Sequence, residues 1–409
     1  MENSRLDRWL VSTMQKNIAP ANVRVALESQ EEPREAGFGA SPRLRINDRR
    51  TLVSLLTNPQ MAFGDAYSEG RIEIEGDLVR VLEDLYQVPD TAAGRLVSRW
   101  LTWAQPNSMN GSRRNIHRHY DLSNDFYRLW LDSEMVYTCA YFPEPETGLE
   151  EAQEAKMELV CRKLWLRPGD LVVEAGCGWG ALALYMARHY GVRVKAFNIS
   201  QEQMSHARER ARAEGLSSRV EFIEDDYRNI REKADVFVSI GMLEHVGRDR
   251  LQDFGRVIHR TIGDQGRGLL HFIGRNYPQP LAAWIRKRIF PGGYTPTLKQ
   301  AMEVFEPHDF GVLDVENLRF HYARTLECWL SRYEQAYAQV ERRFGSIFAR
   351  MWRLYLAGSI AAFRVGSMQL FQVAFAGNKC QSQPWTRARL YAPQPQSAQR
   401  EQAWIRAIS

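Results

Sequence analysis

Between residues 171 and 273 the chain alternates short apolar runs with stretches of helical spacing. Leu171-Val-Val-Glu174, Val192-Arg-Val-Lys-Ala-Phe197, Val220-Glu-Phe-Ile223, Val236-Phe-Val-Ser-Ile240 and Gly268-Leu-Leu-His-Phe-Ile273 read as five strands, and residues 181–190 and 201–214 as helices after the first two. Apolar strands separated by turns and helices predict a parallel sheet buried on both faces, hence an α/β, doubly wound fold. Residues 1–103 follow another rhythm. Leu44-Arg-Ile46 predicts a short strand and Thr51–Leu56 a helix; the alternation of Arg71-Ile-Glu-Ile-Glu75 predicts a half-buried strand, and Asp77 caps a helix over the next residues. This is a small N-terminal α+β domain without a catalytic constellation, suited to docking or lipid handling. Residues 104–114 are polar and turn-rich, a linker; residues 115–392 form the main domain, and 393–409 a polar tail.

The first strand of the main domain ends on a carboxylate, Glu174, followed by glycines at 176, 178 and 180 and then an apolar helix. At the carboxyl end of a parallel strand such a turn lets a ligand lie against bare backbone, with helix N–H groups aimed at its negative end. The spacing differs from Gly-x-Gly-x-x-Gly, and no Gly-Lys-Ser/Thr follows, so a phosphate cradle is not indicated. The turn resembles the first motif of S-adenosylmethionine-dependent methyltransferases.

Composition narrows the partners. Lys and Arg number 54 against 49 Asp and Glu, a net charge of +5 spread along the chain, well short of a nucleic-acid footprint. Arginines beside aromatics in several segments suit an anionic lipid surface as well as a solvated face over core aromatics. The five cysteines (139, 161, 177, 328 and 380) form no Cys-x-x-Cys pair and no ligand spacing with histidine, which indicates neither a metal site nor a disulfide framework. The first residues lack the apolar core of a signal peptide, and no apolar run reaches the roughly 20 residues of a spanning helix. A cytoplasmic protein, soluble or peripherally bound at the inner face of the cell membrane, is the expectation.

Several blocks carry a more specific resemblance. His119-Tyr-Asp-Leu-Ser-Asn-Asp-Phe-Tyr-Arg-Leu-Trp-Leu-Asp132, Tyr137-Thr-Cys-Ala-Tyr-Phe142, Glu174–Gly180, Ile240–Gly247, Leu270–Gly274, Ile289–Gly293 and Gln369–Phe375 occur in the order of the cyclopropane-fatty-acyl-phospholipid synthase family, relatives of the mycolic acid cyclopropane synthases. The resemblance implies a class I, Rossmann-like methyltransferase domain that adds the methyl carbon of S-adenosylmethionine to the double bond of an unsaturated phospholipid acyl chain. It implies that Gly176, Gly178 and Gly180 let the cofactor approach the backbone, while Glu174 fixes the turn or reaches the methionine amine. Gln203 would hold the ribose and Asp226 the adenine amino group, with Tyr227 beside it; Tyr137 and Thr138 would close over the methionine. Glu244, His271 and Tyr322, with backbone groups of Cys139 and Ile273, would hold a bicarbonate acting as base. Cys139 is read as a backbone donor because no step needs a thiolate, and Glu244 as the group that orients His271.

Methyl transfer to an alkene leaves a carbocation, so the pocket must be dry and lined with π faces, and a weak base suffices to close the ring. Three positions depart from the family pattern: Ser359 where cysteine is frequent, Leu243 where Phe is common and Asn198 where Thr is common. These keep open a methyl- or methylene-branched product. A lipid-binding protein on a degenerate enzyme fold is disfavoured by the intact polar set, and nucleic-acid methylation by the lack of a base-pocket motif. Trp284–Phe290 mixes apolar and cationic residues as a headgroup-contacting helix would, and the N-terminal domain with Trp329, Trp352 and Phe363 suits either holding the acyl chain or a homodimer.

Overall fold

The structure, a computed structural model, describes residues 5–28, 42–88, 123–382 and 384–391. The expected linker at 104–114 and tail at 393–409 lie outside these residues. The chain forms two compact units.

The first unit comprises residues 1–132, 273–298 and 317–370. Its sheet has the order β1 (Arg24–Leu27), β2 (Arg43–Ile46), β3 (Ile72–Glu75). β1 runs parallel to β2 and β3 antiparallel to it, with Leu44 opposite Ile74 and Ile46 opposite Ile72. Asp48 accepts from Thr51 N at 2.8 Å to start the helix Arg49–Thr57, and Asp77 accepts from Arg80 N at 2.8 Å to start Leu78–Tyr86, the cap read from the sequence. The helix Arg5–Asn17 and β1 were not read from the sequence, although Leu6, Leu10 and Met14 recur at helical spacing.

Two long helices, Arg319–Phe344 and Ser346–Arg364, meet at Gly345, whose φ of +87° only glycine adopts freely. Phe126, Trp130, Trp329, Phe348 and Trp352 interlock against them, with Phe126 edge-on to Trp352 at 5.0 Å and Trp130 to Trp329 at 5.7 Å. Trp329, Trp352 and Phe363 are therefore core residues and offer no dimer surface. Arg350 donates to Tyr67 O at 2.6 Å and Ile72 O at 2.9 Å, fastening the second long helix to the small sheet. Trp284 lies across Gly64, where any Cβ would stand 2.4 Å from the indole, and donates to Asp65 at 3.1 Å; Arg288 forms a two-pronged pair with the same carboxylate. The proposed headgroup helix is thus a single π-turn, Ile285–Ile289, with its tryptophan buried and Arg288 already paired.

The second unit comprises residues 133–272, 299–316 and 371–409. Its seven-stranded sheet has the order β6-β5-β4-β7-β8-β10-β9, where β4 is Leu171–Ala175, β5 Arg193–Asn198, β6 Val220–Glu224, β7 Val236–Ile240, β8 Arg267–Gly274, β9 Phe310–Asn317 and β10 Gln369–Gly377. Strands β4 to β8 pair in parallel, and most of their apolar residues are buried, most completely in β7, while β6 at the edge alternates buried and exposed positions. β9 and β10 were not read as strands beforehand. β10 is buried along its whole length. Gly268 of β8 makes room for Phe375 of β10: a Cβ there would stand 2.4 Å from the ring. Among the described residues no helix is long and apolar enough to cross a membrane.

Candidate active site

Strand β4 lies inside its sheet between β5 and β7, where the strand order reverses, so its carboxyl end opens where neighbouring crossovers diverge. The turn after it has φ of +83°, +55° and +85° at Gly176, Gly178 and Gly180, a run that side chains resist. The three glycines have separate reasons. A Cβ on Gly180 would meet Phe222 at 2.6 Å and one on Gly176 would meet Met242 at 3.1 Å, whereas one on Gly178 would meet nothing within 4 Å. Gly178 is the member of the turn beside which a ligand can lie.

Glu174 is buried and its Oε2 has no hydrogen-bond partner. Burial pushes its carboxyl up to about 8, partly offset by Lys156. Asn198 at the end of β5 donates to Gln203 Oε1 at 2.7 Å and to Gly178 O at 3.3 Å, tying the expected ribose-binding amide to the glycine turn. Thr138 joins the same region: its Oγ1 accepts from the buried Lys156 at 3.1 Å, and its methyl lies 3.1 Å from where a Cβ of Gly241 would stand. Tyr137, the other residue expected over the methionine, is half-buried beside it. Asp226 is buried at the end of β6, but Arg228 occupies it through its backbone N at 3.0 Å, Nε at 2.7 Å and Nη2 at 2.8 Å. Its carboxylate is thus fixed within its own turn, with acceptor capacity to spare for one further donor. Tyr227 packs edge-on to Phe254 at 5.2 Å, and burial pushes its phenol up to about 12.

His271 stands on β8, its carbonyl accepting from Gly241 N at 2.8 Å, so the imidazole lies one strand from the end of β7. Burial, followed by the charges of Lys156 and Lys163, lowers its pKa well below the usual histidine value and keeps the ring neutral. Its Nδ1 faces Gln372 Nε2 of the neighbouring β10 at 3.0 Å, while Nε2 is buried with no hydrogen-bond partner. Glu244, expected to orient this ring, is buried on the short helix Leu243–Val246; the amide at Nδ1 belongs to Gln372, which sequence reasoning missed. The signal was available: Gln372 is a polar residue inside the apolar run Leu370–Phe375, as His271 is within its own strand.

Cys139 is fully buried with its thiol toward Ala140 O at 3.1 Å. Burial raises the Cys177 thiol well above its ordinary value, as fits a small turn residue. Ile273 and Tyr322 belong to the first unit. Tyr322 is buried between Phe363, 4.7 Å away, and Trp329 at 6.0 Å. Two departures from the family pattern are absorbed locally: Leu243 is buried, and the Ser359 hydroxyl donates to Tyr355 O at 2.8 Å inside its helix. Among the described residues no group of histidine, cysteine and carboxylate side chains could hold a metal ion.

An orphaned buried carboxylate oxygen, an open approach at Gly178 and a polar amide tethered to the turn fit a ligand that carries an ammonium and a ribose. Comparisons with known proteins agree. Residues 107–373 match the family model described as mycolic acid cyclopropane synthetase, and residues 11–94 match a domain of unknown function, DUF7884. The chain is 35% identical to a probable fatty acid methyltransferase of Pseudomonas putida, over 87% of this chain and 93% of that one. It is 33% identical to the cyclopropane-fatty-acyl-phospholipid synthase of Escherichia coli K12, over 86% and 93%. Among solved structures, the cyclopropane synthase MmaA2 of Mycobacterium tuberculosis superposes with a TM-score of 0.62 at 32% identity, covering 64% of this chain and 98% of that one. The mycolic acid cyclopropane synthase CmaA1, complexed with SAH and CTAB, gives a TM-score of 0.62 at 31% identity, covering 64% and 97%. The sheet is that of the class I methyltransferases, and the chain belongs to the mycolic acid cyclopropane synthetase family of S-adenosylmethionine-dependent enzymes.

Proposed function

We propose that this enzyme joins the methyl carbon of S-adenosylmethionine to the double bond of an unsaturated phospholipid acyl chain and closes a cyclopropane ring. The observation that carries the reading is that Glu174, Cys177 and His271 are all buried, with Glu174 Oε2 and His271 Nε2 each lacking a hydrogen-bond partner. Burial of these groups keeps water from them, and a water-poor pocket is what a carbocation on the acyl chain requires. S-adenosylmethionine supplies a methyl group activated by its sulfonium charge. The chain's own part is to hold it: Glu174 toward the ammonium, Gly178 along the methionine, Gln203 toward the ribose and Asp226 toward the adenine, with Tyr137, Thr138 and Tyr227 enclosing it and Gly176 and Gly180 shaping the turn.

Ring closure removes one proton from the newly delivered carbon, and bicarbonate would supply the weak base. His271 can donate to an anion's oxygen through Nε2–H, Glu244 can accept from an acidic O–H, and Tyr322 and the backbone at Cys139 and Ile273 complete the set implied by the family. The methyl- or methylene-branched product gains no support from Leu243 or Ser359, both of which are satisfied by packing or by their own helix. An enzyme on bilayer-borne chains works peripherally at the inner membrane face. The test is lipid analysis of cells expressing the protein and fed methyl-labelled methionine. Labelled acyl chains whose NMR spectra show ring protons support the reading; a label in a branch methyl or methylene replaces it, and unlabelled lipid abolishes it.

A further inference from the structure

We propose that Gln372 is a positioning residue whose side-chain amide donates to His271 Nδ1 and thereby fixes the proton of the ring on Nε2, making His271 a hydrogen-bond donor to the reacting centre. The two residues stand on adjacent strands, β8 and β10, both are buried, and the amide nitrogen lies 3.0 Å from Nδ1. A neutral imidazole has one N–H and one lone pair, and the partner at one nitrogen decides the character of the other. With Gln372 donating, Nδ1 spends its lone pair and Nε2 carries the hydrogen. Of the two ring nitrogens Nε2 is the one without a hydrogen-bond partner, as is the Oε1 of the Gln372 amide on the far side of the contact, so the ring donor is free for a ligand. Were the polarity reversed, a lone pair would face the oxygen of any anion held there and repel it. β10 therefore has a chemical role besides completing the sheet, and no carboxylate is required at Nδ1 to orient the ring.

The inference rests on His271 belonging to the methyl-transfer site, and the experiment separates the two. Nitrogen-15 histidine spectra of the ligand-free protein, with the His271 signal assigned by its loss in His271→Gln, report the tautomer without any turnover. A protonated Nε2 is expected in the wild type. Gln372→Met, of similar volume but without a donor, is expected to lower kcat about 10-fold, as for the loss of one buried hydrogen bond, with the KM for S-adenosylmethionine within about twofold. Gln372→Glu places an acceptor at Nδ1 and is expected to move the proton there, with a larger loss of kcat. Melting curves and cofactor binding establish that each variant is folded. A wild-type ring protonated at Nδ1, or a folded Gln372→Met with wild-type kcat, overturns the inference. If His271→Gln itself keeps full activity, the functional reading of His271 falls, while the tautomer result still stands or falls on its spectrum.

Discussion

Glu174 illustrates how one buried group links stability to cofactor binding. Its pKa rises to about 8 in the folded protein against 4.5 when solvated, so the folded state holds the proton more tightly. The stabilisation is fully present below the unfolded value and is lost as pH rises through the folded one. The Glu174→Gln variant cannot ionise. We expect it to gain on the ligand-free wild type by a few kcal/mol between pH 5 and pH 8.5, each tenfold difference in proton affinity being worth about 1.4 kcal/mol, as read from denaturant unfolding. A cation beside Glu174 favours its charged form, so between pH 5 and pH 7, where the ligand's α-ammonium stays charged, wild-type affinity for S-adenosylmethionine should rise while that of the variant stays flat. Calorimetric titrations at the two pH values check this, and equal slopes would remove Glu174 from the cofactor site. The glycines give a second contrast. Gly180→Ala drives a methyl into Phe222 and should destabilise by about 1–3 kcal/mol, whereas Gly178→Ala carries mainly the cost of its positive φ, about 1 kcal/mol, and should chiefly weaken the cofactor. Equal effects of the two substitutions on melting and on affinity would defeat that division.

At the scale of elements, the loop after β5 binds the glycine turn to the following helix through Asn198. Its side chain joins Gly178 O to Gln203, and Ser200 caps the helix that carries Gln203. Replacing Asn198 with Thr removes the amide donor. We expect KM for the cofactor to rise about three- to tenfold, as for loss of a hydrogen bond of about 1 kcal/mol, with kcat unchanged; a fall in kcat at constant KM would show that the link serves the chemistry instead. Strands β4 to β8 were legible because each is a short run rich in apolar residues with a turn behind it, and Glu174 stood out because it ends the first of them, whereas the expected roles of Gln203 and Asp226 came from the family resemblance. β9 was not, since its exposed edge has no regular alternation, and β10 was not, since the run Leu370–Phe375 follows a long helix and was read only as a family block. Gln372 was missed with it. Lys156 was hidden for another reason: nothing in a helix of mixed charge marks which lysine turns inward to meet Thr138. Asp226 was legible as a position, but its engagement by Arg228, two residues on, depends on a turn geometry that spacing does not encode.

For the molecule as a whole, the proposed reaction requires an enzyme with no spanning helix among its described residues to reach a chain buried in lipid. The net charge of +5 is too small to hold it at an anionic surface without local concentration. The segment 284–290 concentrates cations, yet its members are not equivalent. Trp284 is committed to Gly64 and Asp65, Arg288 to Asp65, and Lys287 with the half-buried Arg286 is left to face outward. Reversing the last two charges should weaken sedimentation with vesicles rich in phosphatidylglycerol, at about 1 kcal/mol for each cation near the surface, and the difference should shrink as salt shortens the screening length. Arg288→Glu should act differently, since it sets two carboxylates side by side at Asp65. The first unit should then melt earlier, with little added loss of vesicle binding at temperatures where the protein is still folded. Activity on a detergent-dispersed substrate should survive the Arg286→Glu, Lys287→Glu pair, because neither residue belongs to the proposed reacting set. If that pair binds vesicles as the wild type does at low salt, this turn is structural throughout, and the membrane contact must lie on another surface.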